Sequence, residues 1–218
     1  MQERAIIHLN VADFAVAVER ATDSRLKGRP VIIAPGGGVR AAVYDMSDEA
    51  YQNGVRKGMA LTRAMRRCSD ASVLPPHHDR YERAMADLLK CALPYSPLIE
   101  STDHNGHLFV DVTGTNKLFG PPPDVAWRIR KATRASMGFD PIWSVAPNKL
   151  VAKIATRLVK PNGEYIVCAG EEEEFLKPVP VNLIPGIESI DLKKLQEFNM
   201  TCAGHVAAWS VDQLEVVF

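Results

Sequence analysis

Candidate chemistry in this chain starts at the stretch Ser101–Gly114, S-T-D-H-N-G-H-L-F-V-D-V-T-G. Asp103 offers a carboxylate and His104 an imidazole, immediately before Asn105-Gly106. Asn-Gly is the strongest short-range signal for a two-residue hairpin turn, because both central residues must accept positive φ. Leu98–Asp103 is expected to run into that turn, and His107–Val112 to leave it as a near-continuous apolar strand. A carboxylate at such a tip can hold a metal, or it can serve turn chemistry alone, which Asp and Asn favour for local reasons. From the motif by itself the turn reading is the better one.

A second candidate is a basic stripe. Lys149, Lys153 and Arg157 recur at i, i+4 and i+8, with Lys160 one step further and no interleaved carboxylate. The stripe is either a solvated face or a binding face. Arg63, Arg66 and Arg67 form a smaller basic group, of the kind that is usually a solvated face. Pro35-Gly-Gly-Gly38 invites a phosphate-loop reading, but no G-K-[ST] follows, and a hairpin loop is the better account. The four cysteines (Cys68, Cys91, Cys168, Cys202) are far apart, with no C-x-x-C pair. That spacing argues against structural zinc or a disulfide framework and for reduced thiols.

These groups sit in a chain of 218 residues with 26 basic and 26 acidic side chains, so any nucleic-acid surface must be local. A charged fraction of 24% and a hydrophobic fraction of 46% are those of a soluble globular protein. No signal peptide and no membrane span is evident, and a cytoplasmic location is expected.

The elements that must position the groups follow from periodicity. Ala5–Val11 reads as a central strand, and Asp13 is placed to cap a helix over Phe14–Ala21. Val31–Ala34 and Val39–Tyr44 read as extended. Ser47–Gln52 and Met59–Cys68 read as short helices, the first ended by Asn53-Gly54. Tyr81, Met85, Leu88, Leu89 and Ala92 recur at helical spacing within His78–Leu93, and Val125, Ile129 and Ala132 mark a second long helix. Pro141–Ala146 is a strand, and Asn148 caps a helix to about Val159 with Leu150, Val151, Ile154, Ala155 and Leu158 toward the core. Tyr165–Cys168 is a last strand. Beyond residue 170 the composition shifts to an acidic helix start at Glu171–Glu174 and short helices at 190–198 and 204–217. The order predicts an α+β fold, an antiparallel-dominated sheet with two long helices on one face.

Four blocks together resemble the Y-family DNA polymerases of the DinB/ImuB kind. They are Ile7-His8-Leu9-Asn10; Gly54–Met59 with Ala64 and Cys68-Ser69-Asp70; Tyr95-Ser96-Pro97 with Asp111–Gly114 and Leu118-Phe119-Gly120; and Ser144–Ala155 closed by Lys160-Pro161-Asn162-Gly163. The resemblance implies a palm of residues 1–13 and 80–169, inserted small fingers of 14–79, and a helix-hairpin-helix thumb over 170–218, partial or complete. The family's little-finger domain is expected to be absent from this chain.

It also implies two-metal nucleotidyl transfer, in which carboxylates hold Mg²⁺. The family's first palm Asp falls on Asn10. Its hairpin Asp-Glu pair falls on Gly106 and His107 in an ungapped count from Asp111, or on Asp103 and His104 with a lengthened turn. Asp103 is then the metal-ligand candidate. The sugar-discriminating bulky residue falls on Ala15, after Phe14, and the triphosphate-contacting Tyr and Arg fall on Asp48 and Tyr51. Lys160 keeps the phosphate-binding role, with Lys149, Lys153, Arg157 and Gly186 as DNA-contact candidates. Glu188 replaces a thumb glycine where backbone approaches phosphate. Three readings follow: a polymerase-like core that has lost catalysis and serves DNA repair by binding damaged DNA or scaffolding repair and replication proteins; an active divergent translesion polymerase requiring Mg²⁺; and a protein-interaction module without DNA contact.

Overall fold

Five consecutive buried residues, Ile6–Asn10, form strand β1, and a strand with no exposed face belongs inside a sheet. The computed structural model describes residues 3–36, 41–101 and 105–217. After β1, helix α1 (Phe14–Thr22) leads into β2 (Val31–Ile33), β3 (Asp45–Met46), α2 (Asp48–Gln52), α3 (Leu61–Arg67) and β4 (Ser72–Leu74). These strands make a small sheet of order β3-β2-β4, in which β2 is antiparallel to β3 and parallel to β4. Next come α4 (His78–Ala92), β5 (Ile99–Ser101), β6 (His107–Asp111), α5 (Asn116–Phe119), α6 (Pro122–Met137), β7 (Ile142–Ala146), α7 (Lys149–Leu158) and β8 (Glu164–Ile166). Four short helices close the described chain: α8 (Glu172–Leu176), α9 (Ser189–Glu197), α10 (Ala203–Ala207) and α11 (Val211–Val217).

The main sheet has order β5-β6-β1-β7-β8, with three antiparallel pairings and one parallel, β7 with β8. The expected α+β layer is present. Tyr81, Met85 and Leu88 of α4 and Val125 and Ile129 of α6 share one apolar core with Ile7 and Leu9 of β1. Side chains alternate across a strand, so His8 and Asn10 face the other side, where α7 lies. There Val151, Ala152 and Ala155 pack against Ala146. Asn148 caps α7 as the sequence predicts, its Oδ1 accepting the Val151 N–H at 2.9 Å.

Several local expectations fail for non-local reasons. Asn105-Gly106 is not a two-residue turn: that turn would set Ser101 opposite Val110, whereas Ser101 pairs with Leu108 and Ile99 with Val110. Gly106 has positive φ (81°). Gly106 instead serves the neighbouring strand, its carbonyl accepting the Val11 N–H at 2.9 Å. Asp13 sits before α1 in a left-handed conformation and makes no capping bond. Asp45 of β3 takes that task, its Oδ2 accepting the Ala15 N–H at 3.0 Å. Leu150 and Leu158 are exposed while Ala152 and Thr156 are buried. α7 lies flat on the sheet, and small side chains allow the closer approach. Ser72–Leu74 is a strand that the sequence did not announce, and the helix expected over 204–217 is split into α10 and α11.

Candidate functional site

The end of β1 meets the start of β6 with Asn10 directly opposite His107. Both line a cleft of about 620 Å³ shared with Asp13, Asp48, Tyr51, Lys57, Arg157, Lys160 and Gly186. The cleft lies where the main sheet, the small α/β unit and the C-terminal helical segment converge. Gly106, the residue before His107, is pressed against Phe14: a Cβ there would lie 2.8 Å from Phe14 Cβ.

Beneath the cleft a chain of hydrogen bonds settles the protonation of two imidazoles. Thr156 Oγ1 donates to the Lys153 carbonyl at 2.9 Å and therefore accepts from His8 Nδ1, 2.8 Å away. His8 Nε2 is then the acceptor for His107 Nδ1 at 3.0 Å. The two rings lie edge to edge, within 9° of parallel and with centroids 5.2 Å apart. Burial, then His107 and the cations Lys153, Arg157 and Lys160, hold the His8 pKa well below its ordinary value. Burial, then Lys160, Lys153, Lys57 and Arg157, push His107 down to about 3. Both rings are neutral at physiological pH, and His107 Nε2 is left as a bare lone pair with no partner among the described residues. Asn10 is 1% exposed, and its Nδ2 also has no partner.

The walls carry opposed charges. Burial, then Asp45, pushes the Asp13 carboxyl up to about 6, while Lys160 and Lys57 pull it down. Asp45 is buried and pairs with Lys57 at 2.8 Å. Lys160 is lowered chiefly by burial. Arg157 donates to the Leu183 carbonyl at 2.7 Å, which ties α7 to the C-terminal segment. The basic stripe is less uniform than its spacing implies, because Lys149 pairs with Glu100 of β5. Lys153 and Lys160 make no ion pair among the described residues.

Of the residues singled out from sequence, Asn10, Lys160, Arg157 and Gly186 come together at this cleft, and Lys153 stands close enough to lower His107. Asp103 and His104 lie outside the described residues. Asp48 and Tyr51 line the α2 wall, and the Arg56 guanidinium lies 3.8 Å over the Tyr51 ring. Glu188 stands at the N-terminus of α9, its backbone N–H donating to Asp191 at 3.3 Å. The His8–His107 contact was not foreseen, since nothing local links residues 99 positions apart.

The fold is that of a polymerase core. The chain superposes on the crystal structure of DinB from Sulfolobus solfataricus with a TM-score of 0.89 and 26% identity, covering 98% of this chain and 62% of that one. An insertion ternary complex of Dbh DNA polymerase gives 0.86 at 26% identity, over 98% and 63% of the two chains. The chain belongs to the impB/mucB/samB family, whose profile matches residues 9–157, and thus to the Y-family translesion DNA polymerases. DNA polymerase IV of Neisseria meningitidis serogroup B is 35% identical over 214 residues, and that of Ralstonia nicotianae 30% over 215. The chain spans 67% of the first relative's length and 60% of the second's.

Divalent metal ions belong to this family's chemistry, so the fit of the cleft to them can be tested. A hard cation requires oxygen ligands, chiefly carboxylates. Opposite Asn10 stand a glycine and an imidazole, and four cations act on that imidazole. Among the described residues no three His, Cys, Asp or Glu side chains gather to hold a metal. The described residues do not fit a Mg²⁺ pair.

Proposed function

We propose that this protein is a Y-family polymerase core that binds DNA in translesion synthesis and DNA repair, and that its cleft no longer carries out nucleotidyl transfer. In this reading residues 1–13 and 80–169 are the palm, 14–79 the fingers and 170–218 a thumb. The protein acts as a damaged-DNA-binding or scaffold component, with repair and replication proteins as partners, in the cytoplasm. The observation that carries the loss of catalysis is the pairing of Asn10 with His107 beside Gly106, three positions without a carboxylate. Ala15, Asp48 and Tyr51 support it, since none supplies the bulky sugar check or the phosphate contacts that the family resemblance calls for.

Primer extension with all four dNTPs and Mg²⁺ or Mn²⁺ is the test. No template-directed incorporation is expected, together with measurable binding to primer–template DNA.

A second reading, an active divergent polymerase, draws on the 35% identity to a DNA polymerase IV. It gives Asp103 a metal. Incorporation that disappears in Asp103→Ala would establish it in place of the first.

A further inference from the structure

We propose that the floor of this cleft binds a terminal phosphate monoester directly, in the place where relatives would hold divalent cations. The inference rests on the reading that the metal pair is lost, and it adds what the vacated position now recognises.

Three observations converge on the floor. The first is a matched pair of unused polar atoms. Asn10 Nδ2 is a buried donor without a partner, and His107 Nε2 is an acceptor whose lone pair is dictated by the bonds from Lys153 through Thr156 and His8. A buried amide left unpaired is costly, and a ligand that accepts from Asn10 removes that cost. The second is charge. Lys160, Lys153, Lys57 and Arg157 are the charged groups that act most strongly on His107, and all four are positive. Two carboxylates line the same cleft: Asp13 acts on Lys160, and Asp48 belongs to the α2 wall, while Asp45 beside them is engaged with Lys57. An anion on the floor meets cations, while a long polyphosphate extending along α2 would meet Asp48.

The third observation sets the chemical class. A bare Nε2 demands a hydrogen-bond donor from the ligand, whereas the cations and Asn10 demand an anion. A phosphate monoester satisfies both, because its second pKa is near 6 and its monoprotonated form carries an O–H beside charged oxygens. That O–H donates to His107 Nε2, and the remaining oxygens accept from Asn10 Nδ2 and the lysines. Sulfate, fully deprotonated, carries the charge but has no proton to offer. Charge-assisted bonds of this kind are the strong ones. A mononucleotide and the phosphorylated end of a DNA strand present the same group.

The test is isothermal titration calorimetry on the full chain in EDTA near pH 6.5, with inorganic phosphate, sulfate, dAMP, and an oligonucleotide with and without a 5′-phosphate. Saturable phosphate binding is expected without metal, with sulfate weaker by about tenfold, one hydrogen bond's worth. Lys160→Gln should weaken phosphate binding by a similar factor. His107→Phe should erase the preference over sulfate, and Lys131→Glu on the distant α6 surface should change nothing. Tighter binding of dAMP than of the phosphorylated end identifies a free nucleotide as the source, and the reverse identifies a DNA terminus. Binding that requires Mg²⁺, equal affinity for phosphate and sulfate, or no saturable binding overturns the proposal. The wild-type phosphate–sulfate comparison decides it even if His107→Phe fails to fold. Metal-dependent primer extension would overturn the loss of catalysis instead, and failure to bind an unphosphorylated primer–template duplex would overturn only the DNA-binding reading.

Discussion

Gly106 stands against Phe14 so closely that an added Cβ would lie 2.8 Å from Phe14 Cβ, on a backbone whose φ is +81°. Left-handed backbone costs an L-residue about 1–2 kcal/mol, and forced overpacking about 1–3 kcal/mol more. Gly106→Ala is therefore expected to lose about 2–5 kcal/mol in urea denaturation. The same geometry bears on catalysis. A variant that restores carboxylates, Asn10→Asp with Gly106→Asp and His107→Glu, should not recover primer extension, because the Asp at 106 cannot enter without displacing Phe14. Incorporation by that variant would show that the glycine is incidental.

The hydrogen-bonded His8 and His107 rings make stability depend on acid. Both pKa values are depressed in the folded state, His107 to about 3, whereas in the unfolded chain each imidazole takes up a proton near its ordinary pKa of about 6.5. The unfolded state thus binds more protons below that value. Stability is complete above about pH 6.5 and falls as pH drops toward 3, by about 4–5 kcal/mol from His107 alone. Histidine titration by NMR should show two imidazoles still neutral at pH 5, and His107→Phe should flatten the stability profile.

Asp13 works in the opposite direction. Its pKa is raised to about 6, first by burial and then by Asp45, so the folded state binds the extra proton between about pH 4 and 6. Stability contributed by Asp13 is lost as pH rises through that interval. The group is partly exposed, and solvent screening reduces the effect to about 1 kcal/mol. Asp13→Asn should raise the melting temperature at pH 7.5 and leave it unchanged at pH 4.

Glu19 fastens α1 to α4. Its side chain is 4% exposed and takes hydrogen bonds from His77 at 2.8 Å, Arg80 at 2.8 Å and the Tyr81 hydroxyl at 3.1 Å. Removing one partner of a buried pair is expensive because the others lose their compensation. Arg80 and His77 keep access to water, so the main loss is at buried Tyr81. Glu19→Ala is expected to cost about 2–3 kcal/mol, and Glu19→Gln about 1 kcal/mol. A cost for Glu19→Ala below 0.5 kcal/mol, in terms of the usual range for surface changes, would remove Glu19 from this role.

What was legible in the chain was whatever is encoded within one element. The apolar period of α4 and α6, the Asn148 cap and the burial of β1 all follow from neighbours a few residues away, and the family blocks preserve their order. The hairpin register was not legible. Asn105-Gly106 carries the local signal for a tight turn, yet the bond from Val11 to the Gly106 carbonyl draws that segment into the β1–β6 ladder. Asp13 carries the local signal for a cap, yet Asp45 reaches the α1 N-terminus from another sheet. The same limit applied to the site. Asn10 could be placed at the end of β1 from the family blocks, but its facing residue depended on a pairing across nearly a hundred residues.

The basic face of α7 should divide into a silent half and an active half. Lys149 is held by Glu100, both side chains near half-exposed, and such a surface pair is worth about 0–1 kcal/mol. A lysine already engaged with a carboxylate releases no counterion when DNA arrives. Lys153 has no such partner among the described residues and stands near the cleft floor. Neutralising the pair together, Lys149→Met with Glu100→Gln, should therefore leave DNA affinity and its salt dependence unchanged. Lys153→Met should weaken binding across all sequences and reduce the slope of log K against log salt by about 1. Equal losses from the two variants would mean that the pair opens on binding and that the whole stripe contacts phosphate.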